Sequence, residues 1–464
     1  MKGNAIYIVM IAYAIIAALT IVLFNGTGDS GDSITHYLFA RYAPAHPQLF
    51  FDLWAKPVCV FLLSPFAQFG FTGVKIFNAL VTLFTIFFTY KTALKLNIKN
   101  PVVSAVILVF SPLFYILTFS GLTEPLFALI LILGIYIVIE KKYTAASVLI
   151  SFLPFVRSEG LIILCVFVFF LLLKNQWKYI PWLLTAHVIF MIAGMIVYGD
   201  ILWLFTKIPY AQLTSTYGSG RLFHFVGQMN YVTGLPVYIL FWTGIIGLIW
   251  QLFARKISVE LMVLVFAGFG SFFIAHSLFW YFGIFNSMGL KRVLICVIPL
   301  ISIMSLVGFN TLTETILKGR KIPRIIIQSL LIAYIIIFPF TSNPAAVNWK
   351  TDMMLSVDQQ CALETGKFIA QNSGTNHRFI FSHPYLSEVL NIDPFDKSRH
   401  EVLSVESIKG LKTGDIIIWE NWFSVIENGI GKDILDTSPR LKNTYNLSIN
   451  DGAREIMYAV YQCY

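Results

Sequence analysis

The chain has 464 residues, of which 57% are hydrophobic and only 12% charged. Soluble domains carry about 25% charged residues, so a water-soluble globular protein is excluded and an integral membrane protein is indicated. The formal charge of +9 comes largely from lysines and arginines grouped between apolar runs, which gives no reason to expect a nucleic-acid partner.

Apolar runs lie near residues 5–24, 72–90, 101–119, 122–139, 143–156, 160–173, 179–198, 234–253, 258–280, 293–311 and 324–340. A bilayer crossing needs about 20 residues, so the pattern predicts an α-helical polytopic membrane protein of about eleven transmembrane helices. The runs at 143–156 and 160–173 are short for a full crossing. The first run follows Lys2, yet it is longer than a signal-peptide core of about 7–15 residues and no small-x-small site follows, so an uncleaved signal anchor is expected. With the N-terminus inside, alternate loops collect Lys91, Lys95 and Lys99; Lys141 and Lys142; Lys174 and Lys178; Arg255 and Lys256; and Lys318, Arg320, Lys321 and Arg324. By the positive-inside rule these loops are cytoplasmic. Modest size and the lack of an organelle signal suggest a bacterial inner membrane.

Two domains follow: a membrane domain over residues 1–340, with external loops at 25–56 and 199–233, and an extracytoplasmic domain over 341–464. Asp29 and Asp32 stand in a glycine-rich turn directly after the first span and lead into an amphipathic segment carrying His36, Tyr37 and Arg41. Asp and Gly dominate turns, so a purely structural role competes with a chemical one. Glu124, in Gly121-Leu-Thr-Glu-Pro-Leu-Phe, has a bland reading as the start of a helix. Arg157 and Glu159, in Phe155-Val-Arg-Ser-Glu-Gly, have one as an ion pair at the bilayer edge. His187 and His276 read as satisfied core residues.

The outer loop 199–233 mixes apolar and aromatic residues with Lys207, Arg221 and His224. Such a segment lies along a membrane and offers cations to a phosphate. Lys291 and Arg292 precede the span at 293–311, where snorkelling to headgroups is the bland alternative. Ionisable residues near spans are functional candidates by default, and most of those named fall on the outer side. A transporter places its polar site near the midplane. An enzyme acting on a lipid headgroup gathers polar groups at one interface, as here.

After Pro344 the composition turns polar. A helix over 353–372 and strands around 378–382, 415–420 and 458–462 predict a small α/β domain. His383, Asp393, Asp396, Glu420 and Asn421 are candidate acceptor contacts, although caps and turns explain most of them. Cys361 and Cys463 both fall in this region, so a disulfide between them is an open possibility. The five cysteines show no metal-ligand spacing.

Taken together, these residues resemble the GT-C superfamily of polytopic glycosyltransferases, which includes protein O-mannosyltransferases, aminoarabinose transferases and the catalytic subunit of oligosaccharyltransferase. The likeness covers about residues 1–340. It rests on the loop Gly28-Asp-Ser-Gly-Asp-Ser-Ile-Thr-His-Tyr, the His46-Pro47 step, Thr123-Glu-Pro-Leu-Phe, Arg157-Ser-Glu-Gly and Lys291-Arg292-Val-Leu before Pro299. Asp32-Ser33 replaces the Asp-Glu pair common in the O-mannosyltransferase branch, which leaves the branch open.

The resemblance implies a polyprenyl-phosphate-linked sugar donor among the membrane lipids. It also implies an inverting, metal-independent transfer to a glycan, lipid or protein acceptor, with no cofactor. A sugar phosphate already has a good leaving group, so one carboxylate suffices to take the acceptor proton. Cations are then needed where charge grows on the phosphate. Asp32 is the expected base, with Asp29 as the alternative. Arg292, Lys291, Arg221, His224 and Lys207 are expected at the phosphate, with His36, Tyr37, Glu124, Arg157 and Glu159 shaping the site. A flippase for lipid-linked sugars and an O-antigen ligase or polymerase type of enzyme are the alternatives. The latter would carry a large central loop rather than a C-terminal domain.

Overall fold

The computed structural model describes residues 4–209, 214–215, 217–316, 321–374, 377–452 and 454–464. Lys318, Arg320 and part of the loop 199–233 lie outside these residues. Among the described residues, seven helices are long and apolar enough to cross a bilayer: Ala5–Leu23, Gly70–Lys95, Trp177–Tyr198, Leu235–Phe253, Leu261–Phe282, Lys291–Glu314 and Lys321–Phe340. The remaining expected spans are shorter pieces. Gly160–Leu173, at 14 residues, rises about 21 Å against a hydrocarbon core of about 30 Å. The run at 101–119 is broken in two, because Pro112 opens the helix Pro112–Thr118 and holds Ser111 in an extended conformation after Val102–Val109 ends. Proline disfavours helical geometry in the residue before it.

The helix Gly70–Lys95 joins the two ends of the bundle. Near its start Lys75 Nζ donates to the Phe24 carbonyl at 2.9 Å, and at its far end Lys95 pairs with Glu140 at 2.6 Å. That far end also holds the pairs Lys99–Glu314 and Lys174–Glu260. Lys95, Lys99 and Lys174 are thus gathered on one side, as the charge pattern groups them. The opposite side carries residues 25–56 and the C-terminal domain. There the loop folds into a helix Asp32–Tyr42, a turn Pro47–Phe51 and an unforeseen helix Pro57–Ala67.

Lys291–Glu314 is the most buried of the long helices. It packs against Leu235–Phe253 backbone to backbone. A Cβ on Gly244 would sit 2.0 Å from the Met304 carbonyl oxygen, and one on Gly308 would sit 1.9 Å from that of Leu240. Lipid tails are as apolar as side chains, so close van der Waals packing through small residues is what holds such a pair.

The C-terminal domain is a five-stranded sheet of order β2-β1-β3-β5-β4. Its strands are β1 (Phe379–Phe381), β2 (His400–Glu401), β3 (Ile416–Glu420), β4 (Leu441–Asn450) and β5 (Glu455–Cys463). β1 runs parallel to β2 and β3, whereas β5 is antiparallel to β3 and β4. Alternation along the strands gives two cores. Phe379, Phe381, Ile416, Ile418 and Tyr458 pack with the helix Val357–Asn372 on one face; Ile380, Ile417, Trp419 and Tyr461 pack with Leu403 and Leu435 on the other. Cys361 belongs to the first core and Cys463 to the second, and both are free thiols. The sheet between them rules out the disulfide.

Gly244→Ala should lower stability by about 1–3 kcal/mol through overpacking, read by thermal unfolding in detergent. Gly270→Ala is the control, since its Cβ meets nothing within 4 Å, and it should be neutral or mildly stabilising.

Candidate active site

The site begins with how the chain turns after the first span. Asp29 Oδ1 accepts from the backbone N–H of Gly31 at 2.8 Å and of Ser33 at 3.4 Å, which folds the turn back on itself. Ser33 Oγ donates to the Thr27 carbonyl and accepts from Gly121 N–H, both at 2.7 Å. Gly121 permits this contact, because a Cβ there would lie 2.2 Å from the Ser33 carbonyl oxygen. The loop is thereby stitched to the turn preceding Glu124. Asp32 is the first residue of its helix, where the N-terminal dipole favours a carboxylate.

Arg292 enters from the start of the most buried span. One guanidinium nitrogen donates to Asp29 Oδ2 at 2.9 Å and another to Asp32 Oδ2, while Nε lies 3.6 Å from Glu124 Oε1. Glu124 is fully buried, and its Oε1 is also 3.0 Å from Arg157. It sits within ion-pairing distance of two guanidiniums, yet neither of its oxygens accepts a well-directed hydrogen bond among the described residues. Arg157 continues to Glu159 at 2.9 Å and to Thr123 Oγ1 at 3.2 Å. His276 Nε2 stands 3.8 Å beyond, at Glu159. Anions and cations therefore alternate from the loop after the first span inward, as buried charges require.

The surroundings set the charge states. Burial pushes the Asp32 carboxyl up, but Arg292, and then His36, more than offset this and leave it below the ordinary carboxylate value. Burial also holds His36 down at about 4, against the pull of Asp32, so it is neutral at pH 7 and lies stacked on Trp54 at 4.9 Å. Burial raises Glu159, but Arg157 dominates and brings it to about 2. Lys56 is lowered by burial to about 8, with Glu159 opposing, and donates to Ser158 Oγ at 2.9 Å.

Two cavities open beside this cluster. One, of about 850 Å³, is lined by Asp29, Lys291, Tyr231, Trp349, Lys350 and Gln359 among others. The second, of about 470 Å³, is lined by Asp32, Thr35, Trp54, Phe395, Phe423 and further residues of the C-terminal domain. The two aspartates clamped by Arg292 thus belong one to each cavity. The C-terminal domain is fastened above them. Arg41 pairs with Glu388 at 2.6 Å, His46 with Asp393 at 2.8 Å, and Gln359 Nε2 donates to Thr27 Oγ1 at 2.9 Å.

Of the residues singled out in the sequence, the fold brings together Asp29, Asp32, His36, Glu124, Arg157, Glu159 and Arg292. Arg292, grouped by sequence with the phosphate cations, has its guanidinium committed to three carboxylates. Lys291 is exposed over the Tyr231 ring at 5.1 Å, at the larger cavity. His224 is bound to the Gly289 carbonyl at 2.9 Å, just before Lys291, and Arg221 is exposed nearby in sequence. Lys207 is exposed over the Tyr198 ring, and Tyr37 faces Arg41 and Glu388 at the domain junction. Neither lines a cavity of the site. In the C-terminal domain, Asp393 and Asp396 cap turns, Glu420 accepts from the backbone of residues 422–424, and Asn421 pairs with Met457. His383 lies against Asp358 at 3.3 Å. Lys350 and Trp349 at the larger cavity carry no local signal, since their segment reads as a polar linker. No group of three or more His, Cys, Asp or Glu side chains is placed to hold a metal among the described residues.

No protein-family model and no curated protein sequence matches the chain. The architecture does have counterparts. ArnT from Cupriavidus metallidurans bound to undecaprenyl phosphate superposes with a TM-score of 0.62 at 12% identity, covering 99% of this chain and 98% of that one. The apo form of the same protein gives 0.63 at 10% identity with the same coverage. The oligosaccharyltransferase of Archaeoglobus fulgidus gives 0.50 at 12% identity over 84% of this chain and 64% of its own. The likeness shows the fold: a polytopic membrane bundle with a C-terminal domain on one face, shared with these structures. The likeness to ArnT runs along nearly the whole length of the chain.

Two outcomes follow from the charge chain. Arg292→Gln strands Asp29 and Asp32 and leaves Glu124 with Arg157 alone, and it should cost about 3–5 kcal/mol of stability, measured as the loss in unfolding free energy in detergent. For His36, the folded value of about 4 lies below the ordinary 6.5, so between these pH values only the unfolded chain holds the proton. Its contribution is fully present above 6.5 and is lost as pH falls towards 4. The wild type should lose stability across that window relative to His36→Gln, and parallel curves would contradict it.

Proposed function

We propose that this protein transfers a sugar from a polyprenyl-phosphate-linked donor to an acceptor hydroxyl at the outer membrane face. The observation that carries the reading is the Asp29–Arg292–Asp32 clamp standing between two cavities where the membrane bundle meets the C-terminal domain. The fold likeness to ArnT, one structure of which holds undecaprenyl phosphate, supports a polyprenyl phosphate in that role here. The cation clusters at the far end of the bundle, read by the positive-inside rule, support the outer face.

Asp32 is the general base in this account. Asp29 has both oxygens committed, to the turn backbone and to Arg292. Asp32 gives one oxygen to Arg292 and has no further hydrogen bond on the other among the described residues, and it lines the smaller cavity. The acceptor oxygen bonds to the anomeric carbon, and the bond from that carbon to the phosphate oxygen breaks with its electron pair. The acceptor proton passes to Asp32. A low-lying carboxylate suits this task, because the departing phosphate needs little push and the base must stay ionised. Lys291 and Lys350, at the larger cavity, supply positive charge to the phosphate. Inversion follows from a single displacement. Metal-independence is part of the proposal, since Arg292 already bridges the two carboxylates.

Asp32→Asn should lower the rate of transfer from a radiolabelled polyprenyl-phosphate sugar by about 10²–10⁴-fold while polyprenyl phosphate binding, followed by native mass spectrometry, is retained. Near-normal turnover in that variant would sink the assignment of the base.

A further inference from the structure

The two cavities differ in chemistry, and the difference bears on the acceptor. The larger one carries Lys291 and Lys350. The smaller one has neither lysine nor arginine among its described lining residues, and its ionised groups are the carboxylates Asp32 and Glu427. His400 also lines it; burial pushes this imidazole below its ordinary value, with the carbonyls of Pro394 and Phe381 at its two ring nitrogens opposing that shift. Arg292 pairs with Asp32 from behind the lining, so the charged side chains that face the cavity itself are carboxylates. A phosphate entering it would meet these carboxylates and find no lysine or arginine on the described lining to replace its hydration.

What the cavity offers instead is rings and neutral polar groups. Phe39, Trp54 and Phe395 form one corner, with Phe39 4.9 Å from Phe395 edge-to-face and 6.0 Å from Trp54. Phe423 approaches from the C-terminal domain beside Gly31, close enough that a Cβ there would lie 3.2 Å from its ring. Between the rings stand Thr35, Ser382, Ser387 and Asn428, with Asn428 Nδ2 donating to Ser382 Oγ at 2.6 Å. A pyranose has apolar C–H faces that lie on aromatic rings and hydroxyl edges that exchange hydrogen bonds with hydroxyls and amides. At about 470 Å³ the space is of the size of small-ligand pockets.

We infer that the cavity between the helix Asp32–Tyr42 and the C-terminal domain is the acceptor site, and that the acceptor is an uncharged carbohydrate presenting a hydroxyl to Asp32. The inference rests on the transferase reading above and adds the chemical class of the acceptor. The carbohydrate O–H bonds to the donor's anomeric carbon, its proton goes to Asp32, and the product is a neutral glycoside with polyprenyl phosphate released.

The test uses the full chain in nanodiscs. Saturation-transfer NMR is run with a panel of neutral disaccharides built from hexoses, deoxyhexoses and N-acetylhexosamines, and with their monophosphates. Polyprenyl phosphate binding is followed in parallel by native mass spectrometry. A neutral disaccharide should bind, its monophosphate should bind at least about tenfold more weakly, Phe395→Ala should weaken the neutral sugar about tenfold, and Phe395→Trp should restore it. Equal or tighter binding of the monophosphates, binding indifferent to Phe395→Ala, or no neutral sugar bound at all would overturn the inference. In each of those cases, retained polyprenyl phosphate binding leaves the donor reading standing; loss of lipid binding in the wild type removes the transferase reading itself.

Discussion

A guanidinium taken out of water must be matched by negative charge, and Arg292 is where this constraint shapes the protein. It lies at the head of the most buried span and reaches Asp29, Asp32 and Glu124 together. Glu124 in turn needs Arg157, and Arg157 needs Glu159. Elements far apart in the chain are locked in one arrangement because the cost of an unpaired buried charge exceeds that of ordering the loop. The loop after the first span is consequently a built surface, stitched by Ser33 to Gly121 and covered by the C-terminal domain.

The same clamp explains how a carboxylate can be both fixed and usable. Asp29 is fully engaged and acts as the strut. Asp32 shares Arg292 but has no further hydrogen bond on its other oxygen among the described residues, on a helix N-terminus that steadies the anion. Burial and the guanidinium act on it in opposite directions, and the guanidinium prevails. In the proposed role as base, the lowered carboxyl favours the ionised form, which suits a reaction whose leaving group departs readily.

Much of this was legible in the sequence, for physical reasons. Apolar runs and loop cations report on the bilayer directly, so the grouping of Lys95, Lys99 and Lys174 on one side could be read without coordinates. The Asp-Gly turn after the first span, the Glu124 turn and the Arg157–Glu159 step stand out because charge near lipid is rare. Pairing was not legible: Asp32 and Arg292 are 260 residues apart, and no periodicity links them. Arg292 was therefore grouped with the phosphate cations when its immediate neighbours are carboxylates. The break at Ser111-Pro112 was available from the proline but was masked by unbroken hydropathy. The helix Pro57–Ala67 was hidden by its brevity, and β4 by alternation that exposes most of its residues. The cavities are products of tertiary packing, so Trp349, Lys350, Phe395 and Phe423 carried no local signal.

The central claim is that the bond between sugar and phosphate is broken at this site. It is tested most directly by reconstituting the purified protein in liposomes with a polyprenyl-phosphate sugar carrying one label on the sugar and another on the lipid, with glycan acceptors supplied outside. The account predicts that the labels separate, with the sugar label moving to the acceptor and the lipid label remaining as polyprenyl phosphate. Labels that stay together while the donor exchanges between leaflets would contradict it and identify a flippase.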